Sequence, residues 1–421
     1  MVTRIVEFRP IRCDHECSIA GSSLALTIRL NETFSAGEHR IPLNGSYDAR
    51  FEPVVDAFMH NYRREDEVGS AVSVVLDGRT VVDLWGGWKD AGRQQEWQHD
   101  TIVCMMSVSK GITGLAFSLL VDRGLVDVDA PVARYWPEFA CNGKQTLPVR
   151  FVLDHRAGLP IVADPLWPGA IYDHQAICKA LAAQAPLWEP GSVAAYHVHT
   201  QGYLLGEIVR RITGRTVGAF VRDEIALPLA ADFMIGGLTR HDQARCAEVM
   251  PNMQARLFAA KEVETDTLRS KAFVQNPAEP WPVTLNSRIW RESEIASGNG
   301  HGNARGVARI YGAFARGGEL DGVRLTRASS IEAMITEQHH ITELMQDRPY
   351  HQALGILLNT PEAVYMGPNP RAFGHHGIGG SLGFADPDAR VGFSFAVNRM
   401  HAVGTNGPRA ARLIDALYGV L

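Results

Sequence analysis

Strand-forming segments lie near both ends of this sequence, with a long helical and loop-rich region between them, and this arrangement restricts the fold more than any other feature. Residues 70–87 form two β-rich runs around Asp77-Gly78, a strong hairpin signal. Strand patterns return only late in the chain, at 353–359, 373–377, 382–387 and 391–398. A doubly wound parallel fold would need strands and helices to alternate throughout. The sequence therefore predicts one antiparallel sheet that joins the N-terminal hairpin to the C-terminal strands.

Helices complete this α/β (α+β) fold class. Helical spacing of apolar residues at 51–58 and in an amphipathic segment at about 408–420 predicts terminal helices that cover one face of the sheet. A mainly helical subdomain, about 125–335, is inserted between the sheet strands. Residues 1–45 lack clear periodicity, and they are interpreted as an N-terminal extension or an edge segment. The main domain is then expected at 46–421.

Charge and composition exclude several classes of partner. The net charge is −5 over 421 residues and no block of Lys or Arg occurs, so neither nucleic acid nor an anionic membrane has an electrostatic binding surface. Apolar runs are broken by charges before the roughly 18 residues that span a bilayer. Asp14 and Glu16 stand where a signal peptide would be basic. Six scattered cysteines do not suggest a disulfide framework, so a cytoplasmic protein with reduced thiols is expected.

A serine and a lysine stand one helical turn apart in CMMSVSKGITG, residues 104–114. Ser107 and Lys110 share a stripe with Gly111 and Gly114, where the absence of side chains allows another backbone to approach. A separate stripe forms the predicted core face: Ile112, Leu115, Ala116, Leu119 and Leu120. A desolvated lysine can take the proton of a serine, and a helix N-terminus favours an oxyanion. Alone, however, this spacing more often marks an N-cap serine and a solvated lysine.

Two further elements follow this motif along the chain: Tyr196, within WEPGSVAAYHVHT, and His375-His376-Gly377. With Ser107-Val108-Ser109-Lys110 as a Ser-x-x-Lys motif, the chain resembles the serine β-lactamase/penicillin-binding-protein superfamily, and within it class C β-lactamases and the related family VIII carboxylesterases. Tyr196 corresponds to the Tyr of Tyr-x-Asn, and the His-His-Gly element to Lys-Thr-Gly. The resemblance extends over about 47–421 and implies a β-lactamase/transpeptidase-like hydrolase domain.

The resemblance also implies a role for each residue. Ser107 attacks the substrate carbonyl and forms an acyl-enzyme. Lys110 and Tyr196 share the proton transfers, with Tyr196 as a phenolate because a nearby ammonium lowers its pKa. The backbone N–H groups of Ser107 and Ile378 form the oxyanion hole. Water then attacks with the same base, and the reaction needs no cofactor and no metal.

Two departures from the family pattern bear on the substrate. Val198 stands where Tyr-x-Asn has its Asn, and His375 replaces the Lys of Lys-Thr-Gly, which removes a permanent charge. Together they favour neutral, small carboxylic esters over β-lactams. The implied substrate-binding residues are Val198 and the His375-His376-Gly377 element. Trp167 and Trp281, each beside a proline in a loop-like stretch, are candidates for lining an acyl pocket.

Other functions remain open from the sequence. The same fold could serve a β-lactamase, a D-alanyl peptidase or an amidase, or transfer the acyl group to an alcohol or amine other than water. A non-catalytic binding or scaffold protein is a further alternative, although binding would need none of Ser107, Lys110 and Tyr196.

Two motifs in the sequence suggest other chemistries. Residues 379–383 fit the Gly-x-Ser-x-Gly nucleophile elbow, which must join a strand to a helix. More strand follows here, so a glycine-rich strand connection is predicted. His197 with His199, and His339-His340, could suggest zinc, but no carboxylate or cysteine stands at ligand spacing. His197 and His199 are instead expected to line or support the loop that carries Tyr196.

Overall fold

A computed structural model describes residues 5–7, 26–252, 267–275 and 283–421. Trp281 lies outside the described residues. The strands, in chain order, are β1 (Ile5–Glu7), β2 (Thr27–Ala36), β3 (His39–Asp48), β4 (Gly69–Leu76), β5 (Arg79–Gly87), β6 (Val103–Cys104), β7 (Phe233–Ile235), β8 (Gly300–Gly302), β9 (Glu319–Leu320), β10 (Val323–Arg324), β11 (His339–Glu343), β12 (Arg348–Gln352), β13 (Leu357–Leu358), β14 (Phe373–His376), β15 (Leu382–Asp386) and β16 (Val391–Val397).

Within the described residues, eleven of these strands form one sheet, in the order β1-β2-β3-β5-β4-β16-β15-β14-β13-β12-β11. Its centre is the antiparallel pairing of β4 with β16, from Ser70↔Val397 to Leu76↔Val391. The N-terminal hairpin is thus joined directly to the last strand of the chain. This confirms the predicted fold class, an antiparallel sheet built from both ends of the sequence.

The turn between β4 and β5 shows why the hairpin signal is reliable. Asp77 and Gly78 both have positive φ, 49° and 83°. Two such residues make a type I′ turn, whose twist matches that of paired strands. Upstream, β3 pairs with β5 between Leu43↔Gly86 and Tyr47↔Val82, so residues 27–48 extend the sheet on that side.

Helices lie on both faces of the sheet and fill the chain between β6 and β11. Their bounds are α1 (Glu52–Arg64), α2 (Val108–Asp122), α3 (Val149–Leu153), α4 (His174–Ala183), α5 (Thr200–Thr213), α6 (Val217–Val221), α7 (Arg240–Arg245), α8 (Leu268–Ser270), α9 (Arg288–Glu292), α10 (Ala304–Ala315), α11 (Ala328–Met334) and α12 (Gly407–Tyr418). No helix of the described residues is long and apolar enough to span a bilayer.

The central strand β4 is buried on both faces. Val72 and Val74 pack into the apolar cluster that contains residues of α1 and α12. Ala71 and Val75 belong to the cluster on the opposite face, which contains α2 and α10. The two-residue alternation of β4 is kept through the register shift between Val74 and Val75, where the extra residue is Val81 of β5. The terminal helices therefore cover one face, as predicted, and α2 enters the core on the other.

Candidate active site

A small sheet holds the N-terminal end of α2. Strand β6 pairs with β8, and β8 pairs with β7. The Met105 amide donates to the Gly300 carbonyl at 2.9 Å, and the Gly300 amide donates to Ser109 Oγ at 2.8 Å. Ser109 is therefore a structural residue that fastens α2 to β8.

Ser107 is the first residue before α2, and its side chain is turned to a cavity. It occupies the N-cap position, but its hydroxyl makes no capping hydrogen bond. Met106, just before it, has a φ of 50°, a left-handed conformation that is costly for a residue with a side chain. This turn places the half-buried Ser107 on the cavity wall. The alternative of an ordinary capping serine does not fit this geometry.

The whole of α2 from Val108 to Leu120 is buried, not only the predicted core stripe. A side chain at Gly111 would meet the Tyr311 hydroxyl and the His375 Cβ atom. A side chain at Gly114 would overlap the carbonyl oxygen of Gly355. The close backbone approach predicted for these glycines is confirmed at Gly114, whereas Gly111 is packed against side chains.

Lys110 is buried, with 3% of its surface exposed. Its Nζ lies 3.4 Å from Ser107 Oγ and donates to the carbonyl oxygens of Val198 at 2.6 Å and Ser297 at 2.8 Å. Burial lowers the pKa of Lys110 well below its usual value. A neutral amine has two N–H groups and one lone pair. In that neutral form the two carbonyls take both N–H groups, and the lone pair would face the hydroxyl of Ser107.

Tyr196 completes the group, because its hydroxyl lies near enough to the Ser107 side chain for that side chain to act on its pKa. Lys110 Nζ lies 4.6 Å from the centre of its ring. Burial is the main influence on the phenol and raises its pKa, and the Ser107 side chain opposes this only in part. The expectation of a phenolate is therefore wrong for the resting protein. Desolvation disfavours the charged form of Tyr196, and because it lowers the pKa of Lys110 it also disfavours the ammonium that was expected to stabilise a phenolate.

The loop that carries Tyr196 is held by a buried carboxylate. Glu343, at the end of β11, accepts hydrogen bonds from the amides of Tyr196, Met345 and Gln346, the last two at 2.8 Å. On the other side, the His197 amide donates to His155 Nδ1 at 3.1 Å. Nothing in the local sequence around Tyr196 indicates the contact with Glu343, because it comes from a strand 147 residues away.

The histidines of the two possible zinc motifs make structural contacts or line the cavity. His197 Nδ1 donates to the Ala195 carbonyl at 2.6 Å, and its Nε2 accepts from the Leu159 amide at 3.1 Å. His339 Nε2 donates to the Asp154 carbonyl, and His340 stacks on His351. His199 lines the cavity. The prediction that His197 and His199 support or line the Tyr196 loop is confirmed.

Ser107 and Tyr196 open onto a cavity of about 300 Å³. Of the residues expected to bind substrate, Val198 and His376 line it, and so does Ile378 of the expected oxyanion hole. His375 and Gly377 are buried beside it and are not on its wall, and Trp167 is 54% exposed elsewhere. The expectation that Trp167 lines an acyl pocket is therefore wrong for the described cavity. The lining also includes residues that sequence reasoning missed: Arg269, Phe273, Trp290, Gln346, Arg348, Met400, His401, Val403 and Thr405.

Two backbone amides, those of Ser107 and Ile378, form a candidate oxyanion site. Ser107 and Ile378 both line the cavity. Across the described ranges, 26–252, 267–275 and 283–421, neither amide donates a hydrogen bond. The turn that holds Ile378 is set by the Gly377 amide, which donates to the Ser381 carbonyl at 2.7 Å. Unused amides beside a hydroxyl nucleophile are what stabilisation of a tetrahedral oxyanion requires.

The position of the family's Lys-Thr-Gly lysine holds a neutral ring. His375 Nδ1 donates to the His376 carbonyl at 2.7 Å, and its Nε2 has no partner among the described residues. Burial lowers the pKa of His375 to about 3. The loss of a permanent charge at this position, inferred from the sequence, holds in the structure.

Comparisons with known proteins agree with this architecture. The chain matches the family model described as Beta-lactamase over residues 51–417. It is 34% identical over 365 residues to the Mycobacterium tuberculosis protein named Esterase/beta-lactamase LipL, covering 85% of this chain and 83% of that protein. Among solved structures, it is 37% identical to a penicillin-binding protein homologue from Caulobacter crescentus, with a TM-score of 0.84, covering 90% of this chain and 100% of that chain. A family VIII carboxylesterase is also 37% identical, with a TM-score of 0.81 and the same coverage.

Proposed function

The chain belongs to the beta-lactamase family of serine hydrolases, and from that premise we propose that it is a carboxylesterase that cleaves small esters through an acyl-enzyme on Ser107. One observation carries the proposal. Lys110 Nζ donates hydrogen bonds to the carbonyl oxygens of Val198 and Ser297, and it lies 3.4 Å from Ser107 Oγ. A buried neutral amine in this position is a general base for the serine hydroxyl.

The proposed reaction begins when the Ser107 proton passes to Lys110 Nζ and Oγ bonds to the ester carbonyl carbon. The carbonyl oxygen becomes an oxyanion and accepts hydrogen bonds from the Ser107 and Ile378 amides. The Tyr196 hydroxyl, kept protonated by burial, gives its proton to the leaving alcohol as the ester C–O bond breaks, and the proton on Lys110 returns to Tyr196. Water repeats the sequence on the acyl-enzyme, which releases the carboxylic acid and restores Ser107.

Three features favour esters as the substrate class. Two relatives carry esterase in their names or titles, the mycobacterial LipL and the family VIII carboxylesterase. Val198 gives the cavity an apolar wall where the family pattern has an amide, and His375 is neutral. Hydrolysis of β-lactams is the second candidate, because the name of LipL joins both activities.

The test compares p-nitrophenyl butyrate with a chromogenic cephalosporin and then identifies the labelled residue. We expect turnover of the ester, and covalent labelling of Ser107 by an alkyl p-nitrophenyl phosphonate, located by peptide mass spectrometry. Label on Ser381 in place of Ser107 would refute the assignment of the nucleophile. Faster turnover of the cephalosporin than of any ester would favour the second candidate.

A further inference from the structure

A group of metal-binding residue types lies between α4 and α5, away from the cavity. His174 and Cys178 stand four residues apart, about one turn of α4, so their side chains share one face of the helix. Glu207 reaches the same place from α5. Within the described residues, this is the one group of three His, Cys, Asp or Glu side chains whose ligand atoms converge, all within 4.8 Å of one another. None of the three lines the cavity beside Ser107.

The three side chains meet at one point and do not form a chain of hydrogen bonds. His174 Nε2 lies 3.3 Å from Cys178 Sγ and 3.5 Å from Glu207 Oε2. In a proton relay, the imidazole uses one ring nitrogen for the nucleophile and the other for the carboxylate. Here both neighbours face the same nitrogen. The ligand atoms of a tetrahedral zinc ion lie about 3.3–3.6 Å apart, since Zn–N and Zn–S bonds are about 2.1 and 2.3 Å long. The observed spacing fits this geometry.

The surroundings of His174 hold its ring in this position. The centre of the Tyr203 ring lies 5.6 Å from that of the imidazole. A side chain at Gly206 would come within 3.3 Å of His174 Cε1, so the glycine leaves the space that the ring fills. The His174 side chain is 30% exposed, whereas Cys178 and Glu207 are buried. A metal ion would therefore enter past His174, and water from that side would complete four-fold coordination.

Glu207 is fixed by two arginines and keeps one position for a metal. Arg210 donates from Nε to Oε2 and from Nη2 to Oε1, both at 2.8 Å, and Arg211 Nε donates to Oε1 at 2.6 Å. A carboxylate oxygen can accept two hydrogen bonds, so the contacts of the described residues fill Oε1 and leave one lone pair on Oε2. Oε2 is the oxygen that lies 3.5 Å from His174 Nε2. Outer hydrogen bonds of this kind orient the carboxylate ligands of metal sites.

The charge around the group suits a divalent cation. Four charged side chains act on the thiol of the group: the carboxylates of Glu207 and Asp173 and the guanidiniums of Arg210 and Arg211. Arg211 also pairs with Glu138 at 2.7 Å, so three carboxylates face two guanidiniums. A thiolate raises this surplus to two negative charges. A buried surplus of this size needs a counter-charge, and one divalent ion supplies it.

We propose that His174, Cys178 and Glu207 bind a zinc ion, with water as the fourth ligand, and that this ion links α4 to α5. Sulfur, imidazole and carboxylate together suit Zn²⁺, whereas Mg²⁺ and Ca²⁺ prefer oxygen ligands. On binding, the Cys178 S–H bond breaks, a Zn–S bond forms and the proton passes to the solvent. Because α5 begins at Thr200, soon after Tyr196, the ion would stabilise the fold behind the cavity. It takes no part in ester hydrolysis, so the site is independent of the proposed esterase function.

The test uses Co²⁺ as a probe, because it occupies sites of the same geometry and its bond to a thiolate gives an intense charge-transfer absorption. Protein treated with a chelator is titrated with Co²⁺ and then with Zn²⁺ as a competitor. We expect one equivalent of Co²⁺ to bind with the charge-transfer band, and Zn²⁺ to displace it. Free Zn²⁺ at about 100 times its Kd should raise the melting temperature by about 3 °C.

Three variants locate the ion. Cys178→Ala should remove the band. Cys141→Ala, the matched control, should keep it, because Cys141 contacts the Ala182 carbonyl near the other end of α4. His174→Ala, a change at a partly exposed residue, should weaken binding by at least about 100-fold, since loss of an outer contact alone costs 10- to 100-fold. No variant should change kcat for p-nitrophenyl butyrate by more than about threefold. Thermal melting checks that each is folded, and His174→Ala decides if Cys178→Ala is not.

A wild-type protein that shows no thiolate-to-cobalt band in excess Co²⁺ would overturn this inference. A band that survives Cys178→Ala in a folded protein would also overturn it, since the thiolate would then belong to another cysteine. An unchanged affinity in His174→Ala would do the same. Each of these results would leave the esterase function standing, because hydrolysis of p-nitrophenyl butyrate is measured separately.

Discussion

Two serines of this chain stand in short motifs rich in glycine, and their surroundings are opposite. Ser107 is half-buried on the cavity wall, and its Oγ lies 3.4 Å from Lys110 Nζ. Ser381, in the Gly379–Gly383 motif, is 3% exposed. Its Oγ accepts the Val397 amide at 3.3 Å, and its carbonyl accepts the Gly377 amide. The first serine faces the cavity beside a buried lysine, whereas the second links two strands.

The two serines show that the residue spacing of a motif does not by itself identify a catalytic serine. The local backbone and the surroundings of the side chain decide. The strand β15 follows Ser381 directly, so the strand-to-helix turn of a nucleophile elbow is not formed. The prediction of a glycine-rich strand connection is confirmed. Ser381 nevertheless serves the proposed site, because its carbonyl holds the turn from which the Ile378 amide faces the cavity.

The largest expected effect is that of Ser107→Ala. Loss of the nucleophile should lower kcat for p-nitrophenyl butyrate by about 10⁴-fold or more. Because the hydroxyl makes no capping hydrogen bond, the melting temperature should stay within about 2 °C of wild type. Steady-state kinetics and a thermal melt check both values. A variant that keeps its full rate would mean that Ser107 is not the nucleophile.

Tyr196→Phe should have the next largest effect, a loss of about 100-fold in kcat. The substitution removes the proton donor for the leaving group but keeps the ring that packs against His155 and Phe273. A leaving group that needs no proton should be less affected. We therefore expect a smaller loss with a p-nitrophenyl ester than with an alkyl ester, and equal losses for both would contradict the role of Tyr196 as an acid.

The pH profile tests the protonation states of the two partners. Lys110 acts only without its proton, so kcat/KM should rise about tenfold per pH unit below its pKa and then level off. Burial lowers this pKa well below the usual 10.5, so the rise should be complete before that pH. Burial also keeps Tyr196 protonated, so no alkaline fall is expected up to pH 10. A rate that still climbs at pH 10 would instead fit a solvated lysine or a phenolate base.

Glu343→Gln should have a moderate effect, about tenfold in kcat with little change in KM. The amide nitrogen of Gln cannot accept a hydrogen bond, so part of the set of amides from Tyr196, Met345 and Gln346 loses its acceptor. A loosened Tyr196 loop impairs proton transfer more than substrate binding. Glu343→Asp, which keeps the charge, should recover part of the rate. A change in KM alone would mean that Glu343 does not position Tyr196.

The sequence was sufficient to predict the antiparallel sheet and to identify the motifs in their order, because both depend on short segments. The Asp77-Gly78 turn, the glycines of α2 and the strand after Ser381 each follow from local backbone requirements. Protonation states could not be read in the same way. The lowered pKa of Lys110 depends on how deeply α2 is buried, and that burial is the sum of packing from distant parts of the chain.

Residues that reach the cavity from elsewhere had no signal at all in the sequence. Arg348 lies 27 residues before His375, in a strand whose pattern does not distinguish it from any exposed arginine. Its place on the cavity wall appears only when β12 and β14 are brought together on either side of β13. Trp167 shows the reverse: an aromatic residue beside proline suggested a pocket, but the fold leaves it in solvent.

The smallest expected effect is that of Ser381→Ala, the matched control for Ser107→Ala. The variant loses the hydrogen bond from the Val397 amide, at a cost of about 1 kcal/mol, and the melting temperature should fall by about 1–3 °C. The carbonyl that accepts the Gly377 amide belongs to the backbone and survives the substitution. Ester hydrolysis should therefore change by less than about threefold. A loss of 100-fold without a change in melting temperature would show that Ser381 takes part in the chemistry, and the distinction between the two serines would no longer hold.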